Sequence, residues 1–348
     1  MIREERISMK KVVGFGDFLL RLNPTGYLKF IQANQFEINY TGAEANVCVS
    51  LSVMGIETQF VTKLPRNDIA VAGEAMLKKF GVKTDHVVYG GERLGIFYLE
   101  KGASQRPSKV IYDRKYTSIA TAKREDFDWE TILKGAEYFH ITGITPALGG
   151  ELPLICEDAC KEAKRQGVTV SCDLNYRKNL WTREQAKATM EKLLSYIDVL
   201  IANEEDVENV LGIKARDTDV TAGKLNYDSY IEVAKKLCET YGIKVVGTTL
   251  RSSISASDND WAAMLYTNGK AYLSQTYHIH LVDRVGGGDS FAAGLLYGMV
   301  NGFEPQKIIE YAAAASCLKQ TIEMDFNLTT ADEIEHMISA GGTGRIQR

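Results

Sequence analysis

Apolar and polar positions along the chain fall into two regimes. From Ala136 onward, short apolar or β-branched runs alternate with longer stretches of helical period. Strands are predicted at 138–142, 168–173, 199–203 and 243–248, and helices at 152–166, 183–194, 204–211 and 227–241. Strands alternating with helices imply a mainly parallel sheet covered by helices on both faces. Earlier in the chain, a first buried strand at 11–17 is followed by a helix at 47–54, a strand at 59–63 and a helix at 69–80 ended by Gly81. The pattern then changes. Segments 87–89, 95–100 and 110–114 are aromatic or β-branched and separated by turn residues, with no helical stretch between them. Joined with strand-like pieces between Phe18 and Tyr40, they predict a small sheet, a lid formed from about 18–40 and 92–115 and inserted into a domain spanning 10–340, with 1–9 as an N-terminal extension. Period-two geometry puts Tyr112 and Arg114 on one side of their strand. Near the end, 261–266 and 270–275 read as a hairpin turning at Asn268-Gly269. Two helices follow at 290–300 and 305–319, and the small run Ala312–Ser316 in the second suits close packing or contact with an adenine.

Composition narrows what such a domain can do. The 348 residues allow a large core, and 45% apolar with 25% charged residues is ordinary for a water-soluble globular chain. No apolar run is long enough to span a bilayer, and the charged N-terminus lacks the apolar segment of a secretory signal, so no membrane partner and a cytoplasmic location are expected. A net charge of -4 without a basic tract argues against a nucleic-acid partner. The six cysteines form no Cys-x-x-Cys pair, which argues against a disulfide framework or zinc ribbon, and Cys156 and Cys160 read as small buried residues of one helical face. His278 and His280 share a strand face without a third ligand at suitable spacing, so ordinary strand packing is expected. Gly14-Phe-Gly16 lacks the third glycine of a dinucleotide fingerprint.

The candidate chemistry centres on Asp283-Arg-Val-Gly-Gly-Gly-Asp289. Successive glycines let main-chain N–H groups approach a ligand, and the first turn of the following helix adds unpaired N–H groups and a positive dipole end. That is an anion site with a carboxylate beside it, which suits a base taking a proton from a hydroxyl that attacks a phosphoryl group. The same residues also read as a glycine-rich strand-to-helix turn with Asp289 as its N-cap. Three further polar clusters stand at element ends: Gly42-Ala-Glu-Ala-Asn46 at a helix start, and Asp173-Leu-Asn-Tyr-Arg177 and Asn203-Glu-Glu-Asp206 at the carboxyl ends of predicted strands, where ligands bind in such folds.

The order and spacing of Gly42–Asn46, Asp173–Arg177 and Asp283–Asp289 resemble those of ribokinase-like (phosphofructokinase-B type) carbohydrate kinases, and within them the 2-keto-3-deoxygluconate kinases. The resemblance runs from about Lys10 to the C-terminal region. It implies a three-layer α/β/α sandwich with a small β-lid, ATP and Mg2+ as cofactors with room for a monovalent cation, and a homo-oligomer joined through the lid. The implied reaction is phosphorylation of the C6 hydroxyl of 2-keto-3-deoxygluconate. By that resemblance Asp289 is the base and Gly286, Gly287 and Gly288 form the anion hole. Asp17, Gly42, Ala43, Asn46, Phe97, Tyr112, Arg114, Arg177 and Asp325 meet the sugar acid. Asn175, Asn203, Thr248, Arg251, Gly286 and Gly288 meet the nucleotide, and Asn203 and Asp206 organise magnesium through water. The chain departs from the family in placing Arg284 where a small residue is usual, Gly287 for alanine, Asp206 for glutamate, and Gly247–Ser255 where a Lys-x-Gly-x-x-Gly run is common. A kinase for a neutral sugar such as fructose, or a sugar-acid sensor without catalysis, are the alternatives. Two arginines lacking a carboxylate partner argue against the first, and an intact Asp289 with its glycines against the second.

Overall fold

The periodicity of 152–166 shows how the sequence builds its layers. In the computed structural model, which describes residues 10–214 and 227–340, Leu152–Gln166 is a helix whose Leu152, Ile155, Cys156, Ala159, Cys160 and Ala163 are buried, a single apolar stripe. Gly167 ends it in the left-handed region (φ 75°), a conformation that glycine adopts without strain. The stripe packs on one face of a central sheet together with Arg183–Leu194 and Tyr227–Tyr241. Ala43–Val53, Gly287–Val300 and Pro305–Lys319 pack on the other face, giving an α/β/α sandwich.

The sheet has nine strands among the described residues. In spatial order eight of them are Lys270–Leu273, Asp258–Thr267, Val245–Ser253, Val199–Ile201, Thr169–Asp173, Ala136–Thr142, Lys11–Phe15 and Glu57–Val61; Tyr277–His280 pairs with Asp258–Thr267. Pairing is parallel from Val245–Ser253 to Glu57–Val61 and antiparallel at the other edge. The chain enters at Lys11–Phe15, runs outward to Glu57–Val61, then returns to Ala136–Thr142 on the far side of its first strand. That reversal of strand order opens a crevice at the carboxyl ends of the strands.

A second sheet, in the order Glu37–Thr41, Leu19–Asn23, Gly95–Glu100, Lys109–Asp113, stands over the crevice. Leu19, Phe97 and Leu99 on its underside pack with Val285 of the glycine-rich segment, while Lys109–Asp113 is exposed along its whole length. Val88–Tyr89, expected among these strands, instead pairs in parallel with Lys63–Leu64 in a two-stranded sheet, because Val88 N–H continues the edge that ends at Thr62. Three more expectations need adjustment. The helix expected from Val47 begins at Ala43, directly after Gly42; the C-terminal helix Ala331–Ala340 was not foreseen; and the expected 1–9 extension lies outside the described residues. The Ala312–Ala315 run is completely buried against Gly287–Val300, where a Cβ on Gly294 would stand 2.8 Å from the Ala312 Cα, so it serves close helix packing and not adenine contact.

Candidate active site

The crevice holds a cavity of about 520 Å³ with the central sheet below and the small sheet above. Its floor includes the start of the helix Gly287–Val300. Gly286 sits at φ 81° and a Cβ there would collide with the carbonyl oxygen of Asp325, so glycine is required on two counts. Gly287 N–H closes the turn on Arg284 (3.2 Å), and its carbonyl accepts from the Ser316 hydroxyl at 2.7 Å. The amides of Gly288 and Asp289 find no acceptor among the described residues and belong to the positive end of a fourteen-residue helix. Gly288 would meet nothing within 4 Å if it carried a Cβ, so its smallness keeps this cradle open instead of relieving a clash.

Asp289 lies half-buried in the first helical turn. Burial pushes its carboxyl up to about 6, against the opposing effect of Asn46, whose amide donates to Asp289 Oδ2 at 2.6 Å. Asn46 is itself fixed, its Oδ1 accepting from the Thr41 hydroxyl (3.1 Å) and Gly42 N–H (3.4 Å). A sugar contact was expected of Asn46, whereas its amide group here is directed at the carboxylate. Gly42 has extended backbone and no room for a Cβ, which would strike the Asp17 carbonyl oxygen; Ala43 lines the cavity beside it.

Under the small sheet the groups are of another kind. Asp17 is 2% exposed and neither carboxylate oxygen has a hydrogen-bond partner; burial raises its pKa and the Arg114 charge opposes that. The Arg114 guanidinium stands 4.0 Å from Asp17 and 4.0 Å over the Tyr112 ring, so Tyr112 and Arg114 do face the same side although the strand ends at Asp113. Phe97 packs its ring 5.7 Å from that of Tyr112, closing an apolar roof. At the sheet ends, Arg177 lines the cavity, its guanidinium making no hydrogen bond among the described residues. Asn175 adopts φ 38°, turning the chain while its N–H binds Asp173 Oδ1.

Three carboxylates converge here. Burial, then the charges of Asp206 and Asp289, raise Asp173 well above the ordinary range, and burial lifts Asp206 to about 7. Asp206 exchanges hydrogen bonds with Asn203, side chain to side chain at 2.9 Å and main chain to side chain at 2.8 Å, and accepts from Tyr176 N–H. Among the described residues no three His, Cys, Asp or Glu side chains are grouped to hold a metal directly. The donor set suits Mg2+ that keeps its waters and is carried on a phosphate, with Asp173 and Asp206 relieved of mutual repulsion by its charge.

Two expected positions stand differently. Thr248 does not line this cavity: strand alternation turns Thr249 and Arg251 into it and leaves Thr248 against Ala202, Tyr230 and Leu237 on the opposite face. Asp325 borders the cavity and is fully buried; its Oδ2 is taken up by Arg21 (2.9 Å) and Asn39 (3.1 Å) of the small sheet, which leaves only Oδ1 without a partner. Sequence reasoning missed the network to which it belongs. Arg21, itself fully buried, also pairs with Asp283 at 2.5 Å, and Lys101 lies 3.9 Å from that carboxylate and pairs with Glu323. Lone charges in apolar strands, Arg21 in Leu-Leu-Arg-Leu-Asn above all, were the available signal. Glu44 was likewise read only as a polar helix start; it is completely buried and accepts from Thr142 and Thr145, tying the end of the strand Ala136–Thr142 and the turn after it to the helix.

With this arrangement in view, residues 9–323 match the model of the pfkB family of carbohydrate kinases. The chain belongs to that family. This kinase is 54% identical to the 2-dehydro-3-deoxygluconokinase of Thermotoga maritima in its crystal structure, with a TM-score of 0.92 over 95% of this chain and 99% of that one. It is 29% identical to the 2-dehydro-3-deoxygalactonokinase of Haloferax volcanii, over 96% of this chain and 98% of the relative. It is also 26% identical to the 2-dehydro-3-deoxygluconokinase of Thermoproteus tenax, over 97% of each. The match covers the central sheet and the small sheet above it, and the cavity is formed between these two.

Proposed function

We propose that this kinase uses ATP and Mg2+ to phosphorylate the C6 hydroxyl of 2-keto-3-deoxygluconate, giving the 6-phosphate. The observation that carries the reading is the pairing, in one cavity, of Asp289 beside two acceptor-free amides with Arg114 and Arg177. A carboxyl with a pKa near 6 is largely ionised at neutral pH yet basic enough to take a hydroxyl proton. As Asp289 takes that proton, O6 bonds to the γ-phosphorus and the bond from phosphorus to the bridging oxygen of ADP breaks; the amides of Gly288 and Asp289 and the helix dipole offset the charge on the moving phosphoryl group. Asp173, Asp206 and Asn203 would hold Mg2+ through water, and the ion would supply positive charge against the phosphates. Arg114 and Arg177 offer cationic donors to a carboxylate, and Asp17 offers two free acceptors to sugar hydroxyls. Arg251, Thr249 and Asn175 line the same cavity, which supports a nucleotide-binding role for them.

The small sheet, about 18–40 and 92–115, acts in this reading as the lid of a 10–340 kinase domain in the cytoplasm, where ATP is supplied. Ile38 and Ile111 are 63% and 55% exposed on it, which supports pairing of two lids in a dimer. The galactonate epimer is a second reading, favoured by the Haloferax volcanii relative. ADP release should be measured with ATP and Mg2+ on both keto-deoxy acids, fructose and ribose. Turnover confined to the sugar acids is expected; activity on the neutral sugars alone would overturn the substrate assignment, and a higher kcat/KM for the galactonate acid would select the second reading.

A further inference from the structure

Lys319, the last residue of the helix Pro305–Lys319, does not line the cavity and has no part in the reaction as described above. It is nevertheless completely buried, and its ammonium donates to two main-chain carbonyls: Asp283 at 2.9 Å and Ile322 at 3.3 Å. The first begins the turn to Gly286. The second belongs to the turn leading to Asp325, whose own carbonyl oxygen is the atom pressed against Gly286. One ammonium therefore fastens the two main-chain segments that meet at the anion cradle. From the other side Arg21 fastens the same pair through their carboxylates.

A buried charge is disfavoured unless partners hold it in place, and a neutral amide could have tied two carbonyls together. Burial does pull the Lys319 pKa below the ordinary lysine value, and the charges of Asp283 and Asp325 oppose that pull. A compact positive charge surrounded by main-chain oxygens is the arrangement that proteins also use to hold monovalent cations.

Resting on the kinase reading above, we propose that Lys319 is a positioning residue and a built-in monovalent cation: its ammonium fixes the turn carrying Gly286 to Asp289, and phosphoryl transfer needs no K+ or Na+ from solution.

The test compares wild type with Lys319→Met in K+, NH4+ and tetramethylammonium buffers. Wild-type kcat is expected to be the same in all three. In tetramethylammonium the variant should lose about 10²-fold in kcat, as for a reacting group displaced by an ångström, with KM for the sugar acid little changed. NH4+ or K+ should restore part of that loss. Amide hydrogen exchange over 283–290 provides a readout independent of turnover: it should be fast in the variant, slowed by NH4+ or K+, and cation-independent in wild type. A wild type that turns over only with K+ overturns the proposal even if the variant does not fold. So does a folded variant with unchanged kcat and exchange. If wild type phosphorylates no sugar at all, the functional reading fails, while the exchange data still decide the role of Lys319.

Discussion

If Asp289 is the base, as proposed, its hydrogen bond from Asn46 should set the pH at which this kinase begins to work. The Asn46 Nδ2 donates to the ionised carboxylate at 2.6 Å, and that contact is the first influence opposing the burial that lifts Asp289 to about 6. A hydrogen bond to a charged group contributes about 1.5–3 kcal/mol. With about 1.4 kcal/mol per pKa unit, removing it should raise the Asp289 pKa by roughly 1–2 units. Asn46→Leu keeps the volume and deletes the donor. The proposed base works ionised, so the acid limb of kcat/KM, which reports the free enzyme, should move from near 6 in wild type toward roughly 7–8 in the variant. At pH 6 the variant should be roughly 5- to 50-fold slower, and at pH 9 within a few-fold of wild type. The assay is ADP release from pH 5 to 9.5 at sub-saturating sugar acid. An equal loss at every pH with an unmoved limb would refute the coupling; a wild-type profile without a limb near 6 would refute Asp289 as the base.

Other outcomes follow from the same contacts. Asp289→Asn should lower kcat by about 10²–10⁴-fold while calorimetry still detects sugar-acid binding, since the general base is lost and Arg114 and Asp17 remain. Arg114→Ala should raise KM for the sugar acid by about 10-fold or more, with a smaller change in kcat, as expected for a contact kept throughout the reaction. Gly286→Ala needs a left-handed residue and a displaced Asp325 carbonyl, so kcat should collapse, whereas Gly288→Ala should fold normally and impair only the cradle. Arg21→Met leaves Asp283 and Asp325 buried without their shared partner and should reduce unfolding free energy in urea by about 3–5 kcal/mol.

What the sequence revealed depended on how local each signal was. The helix Leu152–Gln166 and the strands before it are written in periodicity, and the glycine turn into Gly287–Val300 in residue type. Strand ends could be guessed to gather Asp173 and Asn203 because parallel sheets put their ligands there. Long-range pairings were not legible. Arg21 meets carboxylates more than 260 positions away, and Asn46 meets Asp289 across 243. Thr248 and Thr249 are equivalent by composition, and only the register against Met264 and Ala263 decides which faces the cavity. Val88–Tyr89 carries the same β-forming residues as the strands of the small sheet, and tertiary pairing assigned it elsewhere.

The convergence of carboxylates has a consequence for stability. Asp206 rises to about 7 through burial, and a carboxyl with a folded pKa above its unfolded value of about 3.8 holds its proton more tightly when folded. The folded state therefore binds more protons between those two values, and stability falls as pH rises through that window. For Asp206 alone the full shift corresponds to about 4 kcal/mol, and the solvent in the open cavity reduces this to roughly half. Thermal unfolding of the ligand-free kinase should thus occur at a lower temperature at pH 8 than at pH 5.5, and Asp206→Asn should flatten the dependence. Because Mg2+ favours the ionised form, Mg2+ with ATP should stabilise the wild type more at pH 8 than at pH 5.5. A wild type whose unfolding temperature rises from pH 5.5 to 8 would mean that these carboxyls are already compensated in the free enzyme. The role of Asp206 in organising magnesium would then have to be abandoned.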